Sequence, residues 1–147
     1  RELHLAGHLS LIAGGWVRDR FVGVPAADID IATSASVAEM HRALPSCRVT
    51  TLHPNTARVV FKGHEFEMTT FKGHQRTADD EGAYLDACRR DFTINSLFYD
   101  PLRGEVLDYV SAVDDVATRT LRMNTGPWPD ARHARAGDLN VLQEDPV

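Results

Sequence analysis

Two short stretches decide how this sequence is expected to fold: GGWVRD at residues 14–19 and DIDIAT at residues 28–33. Residues 9–13 read as a strand, the paired glycines end it, and residues 16–22 read as a helix. In the second stretch apolar residues alternate with aspartates, which is typical of a strand with one polar face. A strand, a turn, a helix and a second strand are therefore expected in this order.

The rest of the chain adds further strands and helices on both sides of this unit. In chain order we expect a helix from Ser36, which caps it, to Leu44; strands over 57–61 and 65–71 joined by a hairpin at 62–64; a loop over 72–82; a helix in the later part of 83–96; a hairpin of 98–99 with 106–107; a helix over 112–117; and a strand over 120–123. The 147 residues have room for one compact domain. Because the elements lack regular βαβ alternation, the predicted fold is α+β, a small mixed β-sheet with helices packed on it.

The acidic residues of the second stretch are the first candidates for chemistry. A period of two places the carboxylates of Asp28 and Asp30 on one face of a strand, roughly 6–7 Å apart. Such a pair can grip divalent ions, and hard oxygen ligands favour Mg²⁺ or Mn²⁺. Glu65 and Glu67 share a face of a neighbouring strand, and either can complete the cluster. Taken alone, a D-x-D pair is more often two solvent-exposed aspartates of an edge strand.

Two further groups of residues suit phosphate. Gly14 and Gly15 allow backbone N–H groups to approach a ligand closely, and Arg18 one turn later can add a forked contact. The alternative is a plain turn followed by a surface arginine. The stretch RRDFTIN at residues 89–95 combines two arginines with an aspartate, which can recognise phosphates and sugar hydroxyls, although in isolation it is more often a charged helix start.

Composition limits the classes of protein. A net charge of −5 argues against a passive nucleic-acid coat held by a basic surface, although an acidic metal site can coexist with a local basic stripe. No apolar run is long enough to predict a membrane span, and no secretory signal is visible. Cys47 and Cys88 lack the spacing of a metal site. Free thiols in a reducing compartment, and a cytoplasmic location, are therefore expected.

In this combination and order, the stretches resemble the head domain of the tRNA nucleotidyltransferase (CCA-adding enzyme) and poly(A) polymerase family, in its bacterial-and-eukaryotic class. That family belongs to the DNA polymerase beta-like nucleotidyltransferases. The resemblance rests on GGWVRD (14–19), DIDIATSA (28–35), FEMTTF (66–71), RRDFTINSLFYDPLRGEVLDYV (89–110) and TLRM (120–123). It implies a catalytic head over residues 1–123, then an irregular connection and the start of a truncated neck motif over 124–147.

The resemblance also implies roles for single residues. Asp28, Asp30 and Glu67 would hold two catalytic Mg²⁺ ions, for which Mn²⁺ can substitute, with Glu67 favoured over Glu65 as the third acid. The implied nucleotide-binding residues are Gly14, Gly15 and Arg18 at the triphosphate, and Arg89, Arg90 and Asp91 at the sugar and phosphates, with Asn95 nearby. Asp108 and Asp115 resemble the next motif, which supports the junction of head and neck.

The sequence departs from the family pattern in two places. Lys72 stands where the family usually has an arginine, and the loop after Phe71, which is linked to nucleotide switching and primer handling, is shorter than usual. The final QEDPV (143–147) resembles the opening of the neck motif E-D-x-x-R, and the chain stops before that arginine. In the family the motif pairs with the edge of ATP or CTP. Poor base selection and weak tRNA binding are therefore expected of these residues alone.

The implied activity is template-independent addition of nucleotides, from ATP and CTP, to an RNA 3′ end. Addition of CCA to tRNA is favoured. A poly(A) polymerase of the same family is the first alternative, and a truncated head that binds nucleotide and metal without efficient turnover is the second. The sequence leaves the oligomeric state open.

Overall fold

One mixed β-sheet organises the part of the chain that the structure, a computed structural model, describes: residues 1–26, 28–72, 80–125 and 134–135. Its strands are β1 (Ser10–Ala13), β2 (Asp30–Thr33), β3 (Arg48–His53), β4 (Thr56–Phe61), β5 (His64–Thr70), β6 (Phe98–Asp100), β7 (Glu105–Asp108) and β8 (Ala134–Arg135). The helices are α1 (Glu2–Leu5), α2 (Gly15–Phe21), α3 (Val37–Ala43), α4 (Asp80–Cys88) and α5 (Ala112–Ala117), with a 3₁₀ turn over Thr93–Asn95. The strand order is β3-β4-β5-β2-β1-β6-β7-β8, and β2 with β5 is the parallel pair. The expected α+β class is confirmed.

Several local signals act as the sequence predicts. The hydroxyl of Ser36 accepts the N–H of Glu39, whose carboxylate accepts the N–H of Ser36, so a capping box starts α3. The turn between β4 and β5 has positive φ at both central residues, Lys62 (49°) and Gly63 (83°). Those angles match the two-residue turns that suit the twist of a hairpin. Local chemistry therefore sets the ends of these elements.

The sheet is covered unevenly on its two faces. Ala32 and Ile31 are neighbours on β2 and point to opposite faces. Ala32 belongs to the core that includes Val17 of α2 and Ala87 of α4, whereas Ile31 packs against the core that includes Met40 of α3. Helices α2 and α4 thus cover part of one face of the sheet, and α3 covers part of the other. The rest of each face is left uncovered by these helices.

On the face covered by α1 and α3, the open part is an apolar groove of about 920 Å³. Its lining includes Leu3, Ile12, Ile31, Phe66, Met68 and Leu102. None of the polar residues singled out from the sequence lines this groove. Within the described residues, no helix has the length and apolar character that crossing a membrane requires.

Four sequence predictions need correction. The helix expected in the later part of 83–96 lies earlier, as α4, which ends at Cys88, and the later part contains only the 3₁₀ turn Thr93–Asn95. Residues 120–123 form no strand and contribute one isolated bridge, between Met123 and Phe92. Strand β3 was not expected, since its exposed and half-buried residues carry no clear apolar alternation. The expected loop 72–82 overlaps α4 from residue 80, and its residues 73–79, like the neck motif at 143–147, lie outside the described residues.

Candidate active site

Two carboxylates lie side by side at one end of the parallel strand pair. Asp30 opens β2 and is the register partner of Glu67 on β5. Register partners share a face of the sheet, on strands roughly 4.8 Å apart. Glu65, on the same face of β5, instead forms an ion pair with Arg58, whose Nε lies 2.8 Å from its Oε1. Glu67 is therefore the glutamate that stands beside Asp30.

The predicted strand position of Asp28 is wrong. Strand β2 begins only at Asp30, which pairs with Ala13, the last residue of β1. Gly14 turns the chain away at that point, so no β1 residue remains to pair with Asp28, and the pairing of β2 with β5 also begins only at Asp30. The Asp28 side chain is exposed, and its charge still reaches Asp30, where it raises the pKa.

Burial and the charges around Asp30 shift the pKa of its carboxyl group. The surrounding protein desolvates its carboxylate in part, and this raises its pKa above the ordinary value of 3.8. Nearby Glu67 raises the pKa further, Arg90 lowers it, and Asp28 raises it again. Three negative charges with one arginine in partial compensation leave the space around Asp30 electronegative, which favours a cation there.

Arg18 is held in place by two partners. It belongs to α2, and its Nη1 donates to the Oδ1 of Asn95 over 2.6 Å. Its Nε donates to the Oδ1 of Asp19 over 2.8 Å. The first contact spans 77 positions of sequence and joins the GGWVRD stretch to the RRDFTIN stretch. The two stretches proposed from the sequence to contact phosphate are thus parts of one group of side chains.

Gly14 makes the close approach of these stretches possible. Its φ is 69°, a backbone conformation that L side chains rarely adopt, and its N–H donates to the carbonyl of Leu97. A Cβ placed on Gly14 would lie 3.0 Å from Nη1 of Arg90 and 3.4 Å from the carbonyl oxygen of Asn95. The arginine therefore occupies the space that any other residue would fill.

Arg90 is fixed by Asp86, a residue that the sequence did not single out. Nε and Nη2 of Arg90 donate to Oδ2 of Asp86 over 3.2 and 2.9 Å. Asp86 is only 2% exposed and also accepts the backbone N–H of Lys72. The Arg90 guanidinium lies 5.1 Å from the centre of the Phe98 ring. An acid four residues before an arginine, in a segment for which a helix was expected, is the signal that could have identified the pair.

Asn95 and Asp91 complete this group. The side-chain Nδ2 of Asn95 donates to Oδ1 of Asp91 over 3.3 Å, and the side-chain Oδ1 of Asn95 accepts from Nη1 of Arg18. The N–H of Phe92 also donates to Asp91, and these two hydrogen bonds, the backbone one first, lower the pKa of that carboxyl. Arg89 is exposed, and its backbone N–H donates to the carbonyl oxygen of Asp86. Arg89 is thus not brought into the group by a side-chain contact within the described residues.

The sequence profile of the Poly A polymerase head domain matches residues 10–122. The chain belongs to this family. It is 31% identical to poly(A) polymerase I of Salmonella typhi and 32% identical to the CCA-adding enzyme of Enterococcus faecalis, in each case over 86% of this chain. These matches cover 31% and 33% of the two relatives. This head domain therefore spans about a third of the length of the curated relatives it matches.

A solved structure shares the fold. The Bacillus stearothermophilus CCA-adding enzyme in complex with CTP superimposes with a TM-score of 0.73 at 30% identity, over 84% of this chain and 31% of that one. The matched part is again about a third of the larger protein. The fold of the head domain is thus that of a nucleotidyltransferase head.

Asp108 and Asp115 have structural partners within this head domain. Asp108 accepts the N–H groups of Val110, Ala112 and Val113, and so satisfies the first donors of α5. Asp115 accepts from the hydroxyl of Thr93 and from the guanidinium of Arg122. The helix α5 is therefore tied to the segment that carries Asn95. The suggested junction with a neck lies outside the described residues.

The donor set of the head domain fits a divalent cation. Among the described residues, no three His, Cys, Asp or Glu side chains stand close enough together to hold a metal ion as they are placed. Asp30 and Glu67 nevertheless face the same space, and Asp28 adds a third charge to it. Carboxylate oxygens are the ligands that Mg²⁺ and Mn²⁺ prefer. The pKa of Asp30 is raised first by burial and then by the charge of Glu67, and a bound cation would offset the second of these effects.

Proposed function

We propose that this head domain transfers a nucleoside monophosphate from a nucleoside triphosphate to the 3′ hydroxyl of an RNA. The observation that carries the proposal is the pairing of Asp30 with Glu67 beside the group formed by Arg18, Arg90 and Asn95. Acids that favour a cation and arginines that favour phosphate thus lie in one place. The chain also belongs to a family of polymerase head domains. Membership of that family supports the reaction class.

The chain's own residues would act by binding and orienting. Asp30 and Glu67, with Asp28, would hold Mg²⁺ or Mn²⁺ ions, which when bound activate the attacking hydroxyl and stabilise charge on the phosphates. Arg18 and Arg90 would bind the triphosphate, because planar guanidinium groups match phosphate oxygens with paired hydrogen bonds. Asp86 and Asn95 keep both arginines in place before the substrate arrives. Positioning and charge stabilisation are the main contributions that a protein makes to phosphoryl transfer.

The bonds in the proposed reaction balance simply. The 3′ oxygen of the RNA forms a bond to the α-phosphorus, and the bond from that phosphorus to the bridging oxygen breaks. Pyrophosphate leaves with the bonding electron pair, and the hydroxyl proton is released to solvent. No oxidant or reductant takes part.

CCA addition to tRNA is the favoured form of the activity. The GGWVRD and DIDIAT stretches suit that type, and the superimposed relative of 30% identity is a CCA-adding enzyme bound to CTP. Poly(A) addition is the second candidate, because poly(A) polymerase I of Salmonella typhi is 31% identical to this chain. Both would use ATP, and the first would also use CTP. The two free cysteines accord with action in the cytoplasm.

The test supplies the 147-residue chain with Mg²⁺, each labelled nucleoside triphosphate in turn, and two primers. One primer is a tRNA without its CCA end, and the other is an unstructured oligoribonucleotide. We expect incorporation that EDTA abolishes. The double variant Asp28→Ala, Asp30→Ala should be inactive, whereas Asp114→Ala, which removes an exposed carboxylate from α5, should keep full activity.

The pattern of products separates the candidates. Ordered addition of C, C and A to the tRNA supports the CCA type, and A-tails on both primers support the poly(A) type. Nucleotide binding by calorimetry without incorporation supports the head that binds without turnover. If the double variant retained metal-dependent incorporation, the assignment of the acids would be wrong.

A further inference from the structure

A row of exposed side chains crosses four neighbouring strands on the face of the sheet that carries the acids. Asp30 on β2 is in register with Glu67 on β5, Glu67 with Arg58 on β4, and Arg58 with Thr50 on β3. Register partners share a face, so the four side chains lie on the same side, about 4.8 Å apart from strand to strand. All four are exposed. The row is thus an open surface that starts at the candidate active site.

The proposed reaction has two substrates, the nucleoside triphosphate and the RNA, and the in-line geometry of the reaction indicates which of them lies against this surface. Arg18, Arg90 and Asn95 lie on the β1 and β6 side of Asp30, where the triphosphate would be held. In phosphoryl transfer the attacking and leaving oxygens are roughly in line on opposite sides of the phosphorus. Since pyrophosphate leaves toward the arginines, the attacking hydroxyl must approach from the other side of Asp30. That side is formed by β5, β4 and β3.

The chemistry of the row suits the backbone of an RNA strand. Arg58 lies one strand beyond Glu67, and Arg48 is on the same face of β3, two residues from Thr50. Arginine and threonine side chains are common donors to phosphate oxygens. Arg58 is 50% exposed, and its present partner Glu65 is 59% exposed. An exposed ion pair contributes little to stability, so a phosphate can replace Glu65 at small cost.

We propose that the exposed face of β3, β4 and β5 binds the RNA strand that leads to the reacting 3′ end, and that Arg58 contacts one of its last phosphates. Glu65 competes with that phosphate for Arg58 and so weakens RNA binding. The proposal rests on the proposed function, because the position of the incoming triphosphate defines the side from which the RNA arrives.

The test measures RNA binding directly and needs no turnover. A fluorescent single-stranded oligoribonucleotide is titrated with the full chain in EDTA, and its anisotropy is followed. Four variants are compared with the parent: Arg58→Gln, Glu65→Gln, the double variant of both, and Arg42→Gln. Arg42 is an exposed arginine of α3, on the other face of the sheet, and controls for the loss of one positive charge.

The two single variants are expected to act in opposite directions. Arg58→Gln should weaken binding about fivefold, which corresponds to about 1 kcal/mol. Glu65→Gln should tighten binding about twofold to fivefold, because it frees Arg58, and the double variant should lose this gain. Arg42→Gln should leave the affinity within a factor of two. Each of the last three phosphates of the RNA is then replaced in turn by a neutral methylphosphonate. At one of these three positions, the replacement should abolish the difference in affinity between the parent and Arg58→Gln.

Each contrary result overturns the proposal. Equal weakening by Arg42→Gln and Arg58→Gln would show that net charge alone acts, and a Glu65→Gln effect that persists without Arg58 would contradict the competition. No RNA binding by the parent would exclude the surface. These outcomes are separate from the proposed function, since nucleotide affinity, measured by calorimetry with Mg²⁺, should be the same in all four variants. If the parent chain itself bound no nucleotide, the proposed function would be wrong.

Discussion

The two sides of the candidate active site are built in different ways. On the β2 and β5 side, Asp28, Asp30 and Glu67 are exposed, and within the described residues no hydrogen bond holds any of their carboxylates. On the β1 and β6 side, Arg18 and Arg90 are held by Asp86, Asp19 and Asn95 at 2.6 to 3.2 Å. The acidic side thus carries unbalanced charge, and the basic side is already organised.

This difference indicates where the head domain depends on its ligands. Like charges that lack a counter-ion destabilise the fold slightly, and a bound cation relieves that repulsion. The arginines need no such help, because hydrogen bonds within the protein fix their geometry in advance. Changes on the acidic side should therefore affect activity and spare stability, whereas changes on the basic side should affect both.

The largest effect is expected from Asp30→Asn. Losing a metal ligand should reduce incorporation by several kcal/mol of transition-state stabilisation, on the order of 10³-fold or more. Thermal stability in EDTA at pH 7.5 should stay equal or rise slightly, by at most about 1 kcal/mol for an exposed charge. Mg²⁺ should raise the melting temperature of the parent more than that of the variant. A clear loss of stability in EDTA would contradict the unbalanced charge described here.

Asp86→Asn should produce the largest loss of stability. It removes a buried acid from Arg90 and from the N–H of Lys72, and breaking such a pair costs roughly 2–4 kcal/mol. Urea denaturation measures this loss, and the KM for the nucleoside triphosphate should rise more than kcat falls. Asp114→Asn, at an exposed position of α5, serves as the matched control and should change stability by at most about 0.5 kcal/mol.

A pair of glycine variants separates backbone strain from contact with Arg90. Gly14 and Gly23 have similar φ values of 69° and 71°, but a Cβ at Gly23 would meet nothing within 4 Å. Both Gly→Ala changes should reduce stability because of the positive φ, and Gly14→Ala should cost more, because with ψ at −125° Gly14 lies outside the left-handed helical region. Only Gly14→Ala should also displace Arg90 and raise the nucleotide KM. Equal KM values for the two variants would argue against a role for the space beside Gly14.

The smallest effect concerns pH. The hydrogen bonds from Phe92 and Asn95 lower the pKa of Asp91 below its ordinary value of 3.8. The stability that these bonds contribute is fully present above that ordinary value and is lost only as the pH falls through the lowered pKa. The difference in melting temperature between the parent and Asp91→Asn should therefore stay constant from pH 8 to 5. It should shrink below about pH 4.

Sequence reasoning succeeded where a signal is local. The capping box at Ser36 and Glu39, the hairpin turn at Lys62 and Gly63, and the short helix α5 each depend on neighbouring residues, and each lies where it was expected. It failed where the outcome depends on a distant partner. Residues 120–123 have strand-like composition, but the structure offers them a single bridge to Phe92. Asp28 alternates with Asp30, but β1 ends before it can pair.

The sequence by itself determined which chemical groups are available to the candidate site: acids at 28, 30, 65 and 67, arginines at 18, 89 and 90, and a glycine turn between strand and helix. The family resemblance followed from the order of these groups and was confirmed by the comparisons. Only the tertiary structure decided which groups meet. The register of β2 with β5 selects Glu67 over Glu65, the burial of Asp86 fixes Arg90, and the strand order leaves Arg58 exposed beyond the acids. Strand pairing and helix packing bring together residues that are far apart in the chain. A local sequence pattern does not specify which distant residues will be in contact.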